Sequence, residues 1–255
     1  MRPAGALRLG RRSYEPDELL VMAVVPAGDP AAAMERVHAV VAEGADIAGM
    51  PGLGDGVDER EEIRRIVPFV ATVRDVYPEL VIGVSTGRPE VAREACAAGA
   101  DLLDGAGAGL AEVAGSFGAG VVCSLSLAAR ALEAGVEPER IIVGPSRTRE
   151  LAGLVASGWP VLVSLSGQDL AGSLATAAVG AWLGARVFRV GQVRETRRAL
   201  RMVSAIRGDI PPAYAVRGLA LYLARYLASE PARSAAAVSL PGRPARVRSS
   251  RGVRR

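Results

Sequence analysis

Short apolar runs alternate along this chain with longer segments in which apolar residues recur every three to four positions. The runs read as strands: LLVMAVV (19 to 25), DIAG (46 to 49), VIGVS (81 to 85), LLD (102 to 104), VVCS (121 to 124), IIV (141 to 143), VLVSLS (161 to 166) and VFRV (187 to 190). The segments between them read as amphipathic helices. Met34, Val37, His38 and Val41 share a face in the first, and Leu200, Val203 and Ile206 in the last. Four junctions entering the strands echo one another: Gly44-Ala45-Asp46, Gly99-Ala100-Asp101, Gly118-Ala119-Gly120 and Gly184-Ala185-Arg186. Each sets a glycine where a helix ends, and a left-handed cap there turns the chain into the next strand. Eight such units predict a closed (β/α)8 TIM barrel, an α/β fold of eight parallel strands, rather than an open doubly wound sheet. The barrel is expected over 19 to 210, after an N-terminal extension (1 to 18) and before a C-terminal helix (211 to 230) and a basic tail (231 to 255). Its units fit between Leu19 and Ile206, fewer than the ~200 residues at the low end for this fold, so its loops must be short.

Composition narrows the chemistry. At 255 residues, half of them apolar, the chain can bury one full core. All 31 basic residues are arginine and His38 is the single histidine, which nearly excludes lysine and histidine catalysis. His38 sits on the apolar face of its helix, as a core or interface residue does. One histidine with Cys96 and Cys123 far apart builds no metal site, and the two cysteines read as small core residues. No cofactor motif stands out: Gly52-Leu53-Gly54-Asp55-Gly56 and Gly105-Ala106-Gly107-Ala108-Gly109 lack the full spacing of a dinucleotide fingerprint. The net charge of +4 divides unevenly, because seven arginines and no acid follow Glu230, which leaves about −3 on the rest. The tail is expected to be solvated and disordered; it could meet an acidic partner or nucleic acid, but it has no aromatic residue for base stacking. No run reaches the roughly 18 apolar residues of a spanning helix or resembles a signal sequence, so a cytoplasmic protein without membrane contact is expected.

The segments LLVMAVV, EEIRRIVPFVATVR, VIGVSTGRPEVAREACAAGADLLDG and GSLATAAVGAWLGARVFRVGQVRETRRAL resemble dihydropteroate synthase along most of residues 19 to 206. The likeness is strongest to the divergent second synthase paralogue of actinobacteria and extends to PPAYAVRGLA at 211 to 220. The family joins p-aminobenzoate to a hydroxymethyl-dihydropterin pyrophosphate, and the resemblance implies a pterin site at the C-terminal ends of the strands and a homodimer. Its site motifs are eroded here. The Asp-Thr-Arg of the third barrel strand is Ser85-Thr86-Gly87-Arg88, and the Ile-Asn-Asp of the fourth is Leu103-Asp104-Gly105. The Asp-Pro of the sixth is Gly144-Pro145, the Ser-Arg-Lys of the seventh is Ser166-Gly167-Gln168, and the Arg-Val-His of the eighth is Arg189-Val190-Gly191. The first strand is followed by Pro26-Ala27-Gly28-Asp29 with no asparagine, and the long loop after the fifth is cut to Ser124-Leu125-Ser126. Each lost partner in a buried site costs about 1 to 3 kcal/mol, and four or five together outweigh the ~8 kcal/mol of a micromolar ligand.

Three readings follow. The first is a catalytically inactive synthase paralogue with a binding or regulatory role, dimeric and with a flexible tail. The second is a binder or enzyme of a small anion, phosphate or pyrophosphate, using Arg189, Asp104, Ser166, Ser164, Ser85 and Gln192 at the mouth. The third is an active dihydropteroate synthase. Alternation on the last strand points Arg189 inward, where it needs either a ligand anion or an internal acid such as Asp104. Gly191 and Gln192 open the last helix, whose free N–H groups could help hold a phosphate. Asp46 and Asp101 fall at the opposite end as turn and cap residues, and Leu219, Tyr222, Leu223, Tyr226 and Leu227 form a stripe suited to docking or to a subunit interface.

Overall fold

The computed structural model of the chain describes residues 5 to 211, except 27, 54, 55, 106, 145 to 149, 166 and 168. The expected C-terminal helix and tail lie outside the described residues, apart from Pro211. All eight expected barrel strands are present. After a short hairpin of β1 (Leu7–Leu9) and β2 (Arg12–Tyr14) come β3 (Leu20–Val24), β4 (Ile47–Met50), β5 (Val81–Ser85), β6 (Leu102–Asp104), β7 (Gly120–Cys123), β8 (Ile141–Val143), β9 (Leu162–Ser164) and β10 (Val187–Val190). These eight pair in parallel in the order β8-β7-β6-β5-β4-β3-β10-β9, and a bridge from Val143 to Val161 joins the two ends. Helices α1 (Pro30–Ala42), α2 (Glu59–Val76), α3 (Pro89–Ala97), α4 (Leu110–Phe117), α5 (Ala128–Glu133), α6 (Leu151–Ala156), α7 (Leu170–Leu183) and α8 (Val193–Arg207) separate them.

The two-residue period of the strands divides the core in two. Leu20, Met22, Ile47, Val81, Leu102, Val122, Ile142, Leu162 and Val187 point inward and fill the barrel. Their neighbours, among them Val21, Ile82, Leu103, Val163 and Phe188, point outward under the helices. The repeated junction glycines adopt left-handed backbone, with φ of 93° at Gly44, 113° at Gly99, 63° at Gly118 and 104° at Gly184. Those values are open to glycine and strained for other residues.

Residues 7 to 14, within the stretch expected only as an extension, form the antiparallel hairpin, and Leu7, Leu9 and Tyr14 are buried with the inward barrel residues. The hairpin plugs the N-terminal end of the barrel. Gly120 on β7 leaves room for it, since a Cβ there would lie 2.8 Å from Leu9. The Tyr14 hydroxyl is buried with no partner among the described residues, and burial raises its pKa far above that of a free tyrosine. Tyr14→Phe is therefore expected to leave stability unchanged or raise it by about 1 kcal/mol, because an unpaired phenol carries its desolvation cost without return. Urea unfolding measures this, and a clear loss of stability would show that the hydroxyl is satisfied.

Two positions expected on buried helix faces, His38 as a core or interface residue and Ile206 with Leu200 and Val203, are not in the core. His38 is exposed, its Nδ1 2.6 Å from the hydroxyl of Tyr77 and its ring packed edge-on against that ring. The buried face of α1 is carried by Ala33, Val37 and Val40, and one residue beyond Val37 the side chain has turned about 100° away. Ile206 is 67% exposed; Val193, Thr196, Leu200, Val203 and Ser204 make the buried face of α8. In both helices small or polar residues take core positions that the larger apolar ones seemed to claim.

Candidate functional site

The C-terminal ends of the strands, where barrels of this kind carry their chemistry, hold a small polar cluster above an apolar floor. Met22 makes the floor. Its methyl fills the space beside two inward glycines, so that a Cβ on Gly49 would lie 2.4 Å from it and one on Gly83 3.1 Å. Above it a cavity of about 240 Å³ is lined by Met22, Val24, Gly49, Pro51, Ser85 and Arg189. Larger hollows, of about 600 and 670 Å³, open at the N-terminal end around Trp159 and around Asp46, away from these groups.

Arg189 is ion-paired with Asp104, and Ser85 donates to the same carboxylate oxygen at 3.1 Å. Ser85 and Asp104 are register partners on neighbouring strands. Arg189 comes from β10, four strands away from β6 in either direction around the barrel. The ion pair therefore joins opposite walls and forms a bar across the mouth, with the cavity on its β3 to β5 side. Asp104 is 7% exposed, and Nε of Arg189 is buried without a partner among the described residues. Of the two roles open to an inward arginine, the structure fills the internal one.

The other expected site residues are more scattered. Ser164 is half-buried on β9 and in register with Arg189. Gln192 is exposed at the start of α8, makes no capping bond and does not line the cavity, while the adjacent Gly191 carbonyl accepts from Arg36 at 2.6 Å. Ser166 lies outside the described residues. Asp46 and Asp101 are at the opposite end, as expected, where each accepts a backbone N–H of the preceding strand, Val21 at 2.8 Å and Ile82 at 2.9 Å. The shortened loop after β7 is a single turn of 3-10 helix, Leu125–Leu127, leading straight into α5. Burial pushes the Cys96 thiol to about 12 and the Cys123 thiol to about 11, which leaves neither as a thiolate nucleophile near neutral pH. Among the described residues no cluster of histidine, cysteine or acid could hold a metal ion, and no helix is long and apolar enough to cross a membrane.

Glu62 and Arg88 escaped the sequence reading. Glu62, 3% exposed in the first turn of α2, is ion-paired with Arg88, which also donates to the Val57 carbonyl at 2.6 Å. The pair pins the start of α2 to the N-cap of α3. The signal was available: Glu62 occupies the same helical stripe as the buried Ile66, Phe69, Val70 and Val73, and an acid on an apolar stripe needs a partner.

A closed parallel barrel whose polar groups converge at the C-terminal mouth defines the TIM-barrel class, and residues 22–127 match the family model described as "Pterin binding enzyme". The inactive dihydropteroate synthase 2 of Mycobacterium leprae is 38% identical over an alignment covering 74% of this chain and 87% of that protein. The chain belongs to the dihydropteroate synthase family. The solved structure of Rv1207 from Mycobacterium tuberculosis is 40% identical and superposes with a TM-score of 0.71 over 77% of this chain and 95% of that one. A Yersinia pestis dihydropteroate synthase bound to a pterin-sulfa conjugate matches in fold, with a TM-score of 0.73 at 21% identity over 80% of this chain and 99% of that one.

Proposed function

We propose that this chain is a catalytically inactive member of the family, retained for a binding or regulatory role. The observation that carries this reading is the bar across the mouth: the arginine and the acid that remain there satisfy each other instead of facing a ligand. The active-enzyme reading would need acids at the mouth from unexpected positions. Glu62 is the candidate the structure offers, but Arg88 takes its carboxylate and it does not line the cavity. A mouth cavity of about 240 Å³ with a short loop after β7 also offers little to enclose a reaction away from water. Calorimetric titration with 6-hydroxymethylpterin pyrophosphate tests the reading. No heat of binding is expected, and micromolar affinity would overturn it.

We propose in addition that two copies of the chain pair through α7 and α8. No residue of α7 is charged, and Val179, Trp182 and Leu183 are exposed along it. Arg207 donates to the Ala181 carbonyl at 2.8 Å, which brings the last turns of both helices together and adds the exposed Met202 and Ile206 to the patch. Trp182 alone can offer about 150 to 250 Å² of apolar surface, and with its exposed aliphatic neighbours the patch reaches the few hundred Å² that a monomer rarely exceeds. Sedimentation should find a dimer that Trp182→Glu converts to monomer. A monomeric parent protein would overturn the pairing.

A further inference from the structure

We propose that the outer face of α8, away from the mouth, is a docking strip for a nucleic acid backbone, formed by Arg194, Arg198 and Arg201. The three are exposed and recur at i, i+4 and i+7, which sets them in one row spanning about 10 Å along the helix. Among the described residues none of the three has an ion pair or a hydrogen-bond acceptor. Arginines elsewhere are engaged: Arg64 and Arg65 pair with Glu61, Arg93 with Glu90 and Arg130 with Glu112, while Arg12 lies over the Tyr14 ring and Arg186 takes backbone carbonyls. Glu195, the only acid of α8, is one turn from Arg198 and pairs with neither it nor Arg194.

The row is unfavourable for the protein alone. Arginines three and four positions apart repel one another, and Arg194 sits in the first turn, at the positive end of the helix dipole. An anion alongside the row relieves both effects. The positive charge is also local, because the residues up to Glu230 carry about −3 in total. Asp17, Glu18 and Glu43 line a hollow with Arg201, so Arg194 and Arg198 make the stronger half of the strip. A nucleic acid backbone fits best, since it presents phosphates in a line and each guanidinium can take two phosphate oxygens. A membrane asks for apolar residues beside the charges, and Met202 and Ile206 belong to the patch assigned to subunit pairing. With no aromatic residue on α8, the contacts go to phosphates and are blind to base sequence.

The seven arginines within residues 231 to 255 are a separate source of phosphate contacts, so the test tells the two apart. It follows the anisotropy of a fluorescein-labelled DNA duplex of mixed sequence, titrated with the full chain between about 50 and 200 mM salt. The parent should bind, with log K falling linearly against log salt. Arg194→Gln/Arg198→Gln/Arg201→Gln should weaken binding at least about tenfold at the lower salt and flatten the slope by about 2 to 3, near 0.9 for each lost contact. Arg194→Lys/Arg198→Lys/Arg201→Lys should keep the slope, and a full-length variant with its tail arginines changed to glutamine should keep the share due to the row. Thermal melting checks that these surface variants are folded. No binding by the parent at the lower salt would overturn the proposal. So would a glutamine triple variant with unchanged affinity and slope, or a tail variant that loses all binding. Row-dependent binding to phosphatidylserine vesicles without binding to the duplex would assign the strip to a membrane surface instead.

Discussion

Replacing Arg186 with methionine is expected to cost about 3 kcal/mol of stability and to lower the melting temperature by about 10 °C. Arg186 is 3% exposed at the entrance to β10 and donates to the carbonyls of Gly5 at 2.9 Å, Tyr14 at 3.3 Å and Glu15 at 2.5 Å. It fastens both flanks of the β1–β2 hairpin to the barrel. Methionine keeps much of the volume but leaves three carbonyls without their charged donor, and the hairpin with Leu7, Leu9 and Tyr14 can then leave the barrel end. Hydrogen exchange should find β1 and β2 unprotected in the variant while β3 to β10 stay protected. A melting temperature within a degree or two of the parent's would mean that the apolar plug holds without its arginine.

Asp101→Ala is expected to cost about 2 to 3 kcal/mol, and Asp101→Asn less. The carboxylate accepts the Ile82 N–H at 2.9 Å and is ion-paired with Arg74, which also donates to the carbonyls of Pro78, Leu80 and Gly99. One aspartate thus joins the start of β5, the start of β6 and the end of α2. The amide of asparagine can still accept from Ile82, so the loss in Asp101→Asn measures the ionic part and the further loss in Asp101→Ala the hydrogen bond. The same device recurs two repeats earlier, where Asp46 accepts the Val21 N–H and pairs with Arg197, itself bonded to the carbonyls of Leu19 and Gly44. Chemical denaturation of all three variants, with Asp46→Ala as the parallel case, measures it. A loss below 1 kcal/mol for both alanine variants would reduce the repeated junction to a turn preference.

These junctions show how far the sequence was legible. Short unbroken apolar runs marked every barrel strand, because a strand buried on both faces tolerates little else. The capping glycines were legible for a similarly local reason, a backbone angle that other residues avoid. Asp46 and Asp101 were placed at the correct end but read as turn residues, since their arginine partners lie 151 and 27 residues away. The hairpin was missed because its two strands are three residues long and carry exposed arginines, too little for a periodic signal. At the mouth, alternation pointed Arg189 inward, yet it left open what that arginine would meet. The answer depended on units four and eight of an eight-stranded ring facing each other, a property of closure that no single segment carries.

Closure has a further consequence at the floor of the mouth. The methyl of Met22 occupies volume that β4 and β5 leave empty at Gly49 and Gly83. A side chain added at Gly49 must displace that methyl and one at Gly83 must crowd it, and the space beside it is the cavity under Arg189. The three positions are thus epistatic: a larger residue at 49 or 83 shrinks the mouth unless Met22 shortens in the same step. Where the side chain of residue 22 lies therefore sets how much room a mutation at position 49 or 83 leaves beneath Arg189.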